Sequence, residues 1–259
     1  MYIVDSHCHL NFPQFKDYLD DVINRALEND VKLMQTICTK LSEFDDIHLI
    51  AKKYKNIYCS VGVHPHEVEK EFSEIDQLLH LAKKEKVIGI GETGLDYYYE
   101  YSDREKQKQS FIKHIEVARE LAMPIIIHTR EADEDTISIL TDEMKKGEFP
   151  GLIHCFTSSQ RLADAVIEMG LSISVSGILT FKNATKIQDV IKKIPMNRLL
   201  VETDAPFLAP VPFRGKTCEP AYTKNTLEFL ADLKNISVEE CAEKTTENFF
   251  KLFTKADQE

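Results

Sequence analysis

Two histidines one residue apart, His7 and His9 in the stretch IVDSHCHLNF, close a short apolar run near the start of the chain. Successive side chains on a strand alternate faces, so both imidazoles point one way and Cys8 points the other. Paired imidazoles at a strand end suit a divalent metal ion. They suit two unrelated buried histidines equally well, and the rest of the chain has to choose. Further apolar runs end in similar chemistry: GVHPH brings His64 and His66, VIGIGE ends in Glu92, PIIIH in His128, GLIHC reaches His154, and RLLVETD ends in Asp204. His7, His9, His128 and His154 with Glu92 and Asp204 form a donor set suited to two divalent ions. Imidazole favours Zn²⁺ or Mn²⁺, and carboxylate admits Mg²⁺ as well.

Such residues need a frame that brings distant segments to one place. The strand-length runs are YIVDSH, KLMQTIC, IYCSVGVH, VIGIGE, PIIIH, GLIHC, LSISVSG and RLLVETD, alternating with longer segments of helical period. DYLDDVINRALEND stripes Leu19, Val22, Ile23, Ala26 and Leu27, and REKQKQSFIKHIEVARELA stripes Phe111, Ile115, Ala118 and Leu121 before Pro124 stops it. QRLADAVIEMG ends in Gly170, a C-cap signal, and SVEECAEKTTENFFKLF opens on Ser237 with Glu240 three residues on, a capping box. Eight strands each followed by a helix or loop predict an α/β fold, a (β/α)8 TIM barrel forming one domain over residues 1–259. A doubly wound sheet is disfavoured because no Gly-rich phosphate loop follows the first strand.

A barrel places its chemistry at the C-terminal ends of its strands, and the donors lie there. Strands one and eight are neighbours in a closed barrel, so His7, His9 and Asp204 would hold one ion. His128 and His154, on strands five and six, would hold the other. Glu92, between them, is the expected bridge across ions about 3.5–4 Å apart. His48, His80 and His114 fall in helical segments and are expected at the surface or core edge. Cys8 and Cys155, each beside a donor histidine, are expected to pack behind the lumen.

The chain carries a formal charge of −11, with 43% hydrophobic and 29% charged residues. That balance is ordinary for a globular protein and argues against sequence-independent coating of nucleic acid, which needs many basic contacts. It leaves room for a local site where metals and a few cations receive one phosphate. No apolar run is long enough to span a bilayer, and the N-terminus lacks a signal-peptide pattern. Six scattered cysteines without a C-x-x-C pair read as reduced thiols, hence a cytoplasmic protein.

The strings DSHCHL, GVHPH, GETGLDYYY, IIIHTRE, HCFTSS and ETDAPFLAP, followed by RGK and EPAY, together resemble the TatD family of metal-dependent deoxyribonucleases, within the amidohydrolase superfamily. The resemblance runs from residue 3 to about residue 222, and the helical tail is similar too. It implies metal ligands at His7, His9, Glu92, His128, His154 and Asp204, the six that the strand ends suggest. It also implies hydrolysis of nucleic-acid phosphodiesters, typically from the 3′ end of single-stranded DNA, with RNA as a second possible substrate. Ser158 stands where the family usually has glycine, and Cys218 where it usually has asparagine; neither is an expected ligand.

The expected chemistry is attack by a water that two divalent cations acidify, with Asp204 as its base and Glu92 as the shared ligand. His64 would assist the leaving 3′-oxygen, and His66, Arg130 and Arg214 would contact the substrate phosphate. Asp96 is placed to orient a ligand histidine, and the run DYYYEY offers rings on which bases stack. Two alternatives stand beside this reading: a hydrolase of an amide, lactone or acyl ester, and a metal-holding binding protein without catalysis. Enzymes of the first kind often bridge their metals with a lysine after strand four, where this chain has Glu92.

Overall fold

Each expected run becomes a strand of one parallel sheet: β1 (Ile3–Cys8), β2 (Val31–Thr36), β3 (Ile57–Val61), β4 (Val87–Asp96), β5 (Ile125–Arg130), β6 (Gly151–Ile153), β7 (Ser172–Val175) and β8 (Leu199–Val201). In this computed structural model residues 1–257 are described, and positions 258–259 of the span read as one domain lie outside the described residues. The strands pair in chain order from β1 to β8. The helices α1 (Leu19–Glu28), α2 (Phe44–Lys53), α3 (Ile75–Ala82), α4 (Arg104–Leu121), α5 (Asp133–Lys146), α6 (Gln160–Glu168), α7 (Thr185–Lys193), α8 (Thr223–Lys234) and α9 (Val238–Leu252) fall between and after them. The result is a (β/α)8 barrel. Just past the end of β8, the Asp204 amide donates to the His7 carbonyl at 2.9 Å and the His9 amide to the Ala205 carbonyl at 2.8 Å, which draws the first and last strands together.

Helix ends follow their local chemistry. Asp103 caps α4, accepting from the amides of Glu105 and Lys106, while Ser237 caps α9 by accepting from Glu240 at 3.1 Å. Gly170, just past α6, has φ +79°, the left-handed turn that glycine adopts without cost. On α1, Val22, Ile23 and Ala26 are buried as the stripe predicts.

The lower barrel is dry. Val4, Leu33, Tyr58, Ile88, Ile126, Leu152 and Leu200 form one cluster with Phe249 of α9 and Phe253 just beyond it. The Thr246 hydroxyl donates to the Tyr2 carbonyl, and the Asn248 amide donates to the carbonyls of Met196 and Leu199, fixing α9 beneath the starts of β1 and β8. Each buried ring contributes about 1.5–3 kcal/mol, so this plug stabilises the end of the barrel that carries no chemistry. No helix among the described residues is long and apolar enough to cross a membrane.

Expected boundaries shift at several strands. β6 and β8 stop at Ile153 and Val201, short of His154 and Asp204, and two further shifts bear on the site. The third strand stops at Val61, because Pro65 and the turn that starts there take GVHPH out of the sheet. The fourth runs past Glu92 to Asp96, because Thr93, Gly94, Leu95 and Asp96 keep pairing with β5 after the register shifts. Glu92 therefore sits inside a strand.

Candidate metal centre

Barrel closure assembles the first group of donors. His7 Nε2 and His9 Nε2 lie 3.3 Å apart, and Asp204 Oδ1 is 3.6 Å from the first and 3.2 Å from the second. Asp5, wholly buried, accepts from the Thr203 amide at 2.9 Å and hydroxyl at 2.6 Å, tying β1 to the segment that carries Asp204. Burial pushes the Asp5 carboxyl up to about 7 against these bonds. Phe12 stacks on the His9 ring at 4.7 Å and holds its plane.

Glu92 meets the second group. Its Oε1 lies 2.7 Å from His154 Nε2, 3.1 Å from His128 Nδ1 and 3.4 Å from His64 Nε2, while its Oε2 lies 3.4 Å from His7 Nε2. Glycine at position 94 permits this: at φ +134°, a Cβ there would come within 2.0 Å of the His128 carbonyl oxygen. His128 turns its Nε2 to Asp96 Oδ2 at 3.1 Å, and His154 turns its Nδ1 to Glu202 Oε1 at 3.4 Å. With a cation bound, each carboxylate would accept the ring proton of its histidine and leave the opposite nitrogen, on the Glu92 side, free as a ligand.

These donors fit divalent cations. The nitrogens of His128 and His154 face each other at 3.4 Å beside a carboxylate oxygen, an arrangement that positive charge between them relieves. The buried Nδ1 atoms of His7 and His9 have no hydrogen-bond partner among the described residues, and their Nε2 atoms both face Asp204. Desolvation would raise the Glu92 carboxyl, but the surrounding imidazoles, His154 foremost, hold it well below the usual range. Asp204 is likewise lowered, burial being outweighed by His9 and His7. Both carboxylates are ionised at neutral pH.

The six expected ligands thus meet in one place, and three further groups join them. Glu202 escaped the sequence reading, although alternation puts it and Asp204 on one face of ETD; it is fully buried and accepts a bond from Ser174 Oγ. Asp96 Oδ2 serves His66 at 2.8 Å as well as His128, and its Oδ1 accepts from the amides of Tyr98 and Tyr99. His64, expected as an acid, accepts the His66 amide proton on Nδ1 and is pushed to about 4 by burial, so it is neutral and turns toward Glu92.

A cavity of about 1020 Å³ opens above the donors, lined on its rim by Phe12, Lys40, His66, Tyr99, Arg130 and Phe207. The Arg130 guanidinium lies over the rings of Tyr98 and Tyr99 at 4.0 and 4.7 Å. Arg214 lies outside this lining, 3.5 Å above the Phe181 ring. Cys8 packs in the core as expected, but Cys155 lines the cavity, because its φ of +44° breaks the strand alternation after His154. His114 is fully buried rather than at the core edge: it bonds the Ser110 carbonyl and accepts the Val63 amide, so it supports the loop that carries His64. His48 and His80 lie toward the surface as expected. Cys218 is buried, and Ser158 lies beyond the cavity, in a neighbouring groove.

Known proteins are similar to this chain over nearly its whole length. The family model described as TatD related DNase matches residues 4–254. The uncharacterized metal-dependent hydrolase YcfH of Escherichia coli is 42% identical over 256 residues, 98% of this chain and 96% of that protein. The 3'-5' ssDNA/RNA exonuclease TatD of Pectobacterium parmentieri is 32% identical over 261 residues, 97% of this chain and 99% of the other. The crystal structure of the TatD homolog YJJV from Escherichia coli superposes with a TM-score of 0.88 at 28% identity, covering 97% of this chain and 98% of that one. The chain belongs to the TatD-related family and is a metal-dependent hydrolase.

Proposed function

We propose that this protein hydrolyses nucleic-acid phosphodiesters, releasing nucleotides from the 3′ end of single-stranded DNA, with RNA as a second substrate. Glu92 carries this reading: one of its oxygens meets the His128–His154 group while the other meets His7, whose Nε2 is shared with His9 and Asp204. A carboxylate shared in this way suits two divalent ions (Mg²⁺, Mn²⁺ or Zn²⁺), as in-line phosphoryl displacement requires. When bound, these cations acidify a water and offset charge on phosphoryl oxygens. His7, His9 and Asp204 would hold one ion, His128 and His154 the other, with Glu92 shared between them. Asp204, partly open to the cavity, accepts the proton of the attacking water.

Arg130 and His66 receive the non-bridging phosphate oxygens at the rim, whereas Arg214 acts only on chain lying beyond the cavity. His64, 3.4 Å from Glu92, would assist the leaving 3′-oxygen. The curated relative named as an exonuclease on single-stranded DNA and RNA supports this substrate class. Six free cysteines support a cytoplasmic location.

Metal-stripped protein restored with Mg²⁺, Mn²⁺ or Zn²⁺ and given end-labelled single- and double-stranded oligonucleotides tests the proposal. Stepwise loss from the 3′ end, absent with Asp204→Ala, is the expected result. Failure to cut any oligonucleotide with any of the three metals would move the assignment to a carbonyl substrate.

A further inference from the structure

The cavity rim is unequal in charge and in aromatic surface. On the side built by the loops after β2 and β3 it carries Glu43, Asp46 and Glu67, and Lys40 there is already engaged by Glu43 at 3.2 Å. Next to it, in the loop after β4, stand Tyr98, Tyr99 and Tyr101, 53%, 44% and 64% exposed, with Tyr99 lining the cavity. Arg130 lies on the first two rings and, among the described residues, pairs with no carboxylate.

Hydrogen bonds and mutual ring contacts hold this platform in place, while about half of each tyrosine stays exposed. Asp96 fixes the amides of Tyr98 and Tyr99 at 3.0 Å each, and the neighbouring Tyr97 hydroxyl donates to Asp135 at 2.6 Å. Tyr99 and Tyr101 stack at 5.3 Å and 15°, and the His66 ring meets Tyr101 edge-on at 4.9 Å. Exposed rings held in place next to an unpaired guanidinium match one ligand chemistry, an unpaired nucleobase with its own phosphate.

We infer that Tyr98, Tyr99 and Tyr101 with Arg130 form a stacking subsite for the base next to the one being removed, on the strand the enzyme retains. This rests on the phosphodiesterase reading above. A paired base has its neighbouring faces stacked within a duplex, so the subsite selects single-stranded ends and is indifferent to base identity.

A hexadeoxynucleotide with 2-aminopurine as the second base from its 3′ end, bound to the protein in chelator, reports stacking as quenched fluorescence without turnover. Wild-type protein should quench the probe and bind the normal oligonucleotide roughly tenfold or more tightly than one abasic at that position. Combined Tyr99→Ala and Tyr101→Ala substitution should lose the quenching and the discrimination, and the corresponding Phe variant should keep both. In Mn²⁺-loaded protein the Ala variant should raise KM with little change in kcat. Cleavage by the wild type with equal affinity for normal and abasic oligonucleotides, or full discrimination in the Ala variant, overturns the subsite alone. No binding and no cleavage of any oligonucleotide overturns both the subsite and the reading beneath it.

Discussion

The two ends of the barrel are built from the same strands and use opposite physics. At the lower end, Val4, Leu33, Ile88 and Leu200 meet Phe249 and Phe253 in a cluster that holds no carboxylate or imidazole. At the upper end, the same strands or the turns after them bring Glu92 and Asp204 within 3.4 and 3.6 Å of His7, all three largely desolvated. Apolar burial is favourable wherever it occurs, whereas desolvated carboxylates and imidazoles are costly until a cation shares them. One end therefore supplies stability, and the other spends it on a binding site.

Substitutions at either end test this division, and the largest effect is expected at the top. Glu92→Ala should reduce hydrolysis to background while circular dichroism and thermal unfolding stay close to wild type; measurable turnover with two bound metals would remove its bridging role. At the bottom, Phe253→Ala should cost about 3–5 kcal/mol in denaturant unfolding through the cavity it leaves. Metal affinity per folded molecule should stay unchanged in that variant.

A third expectation concerns His114, which sits between the ends. Its pKa is lowered to about 4 by burial, so below the ordinary value of 6.5 the unfolded chain takes up a proton that the folded one refuses. Its contribution is intact above pH 6.5 and is lost as pH falls toward 4, by about 3 kcal/mol in all. Urea unfolding across that range should show a slope that His114→Gln flattens; an equal slope in both would place the acid sensitivity elsewhere. The smallest effect is expected from Glu202→Gln, which should weaken metal binding about 10–100-fold by loosening His154, measured by calorimetric titration. Loss of fold in that variant would instead make Glu202 a structural residue.

The upper end was the more legible in the sequence, because few side chains do its chemistry and each stood at the end of an apolar run. His128 and His154 could be named with their strands, since alternation is a local property. Glu202 was overlooked beside Asp204, because its role needs His154 and Ser174, which lie 48 and 28 residues away. Cys155 and His114 were misplaced for related reasons. A left-handed φ cannot be read from strand period, and a helical histidine is buried or exposed according to what packs on it. At the lower end the cap on α9 was visible in Ser237 and Glu240, but the plug formed by its aromatic residues was not, as any amphipathic helix would read alike.

What the sequence by itself determined was the inventory of donors, the order of strands and helices, and the faces on which neighbouring side chains lie. These depend on composition and on periods of two and 3.6 residues, both of which are local. Only the tertiary structure decided that His9 meets Asp204, 195 residues away, that Glu92 spans two groups of donors, and that the rim is acidic along one stretch and aromatic along the next. Those contacts follow from barrel closure and strand register, and a shift of one residue would turn the same donors away from the lumen.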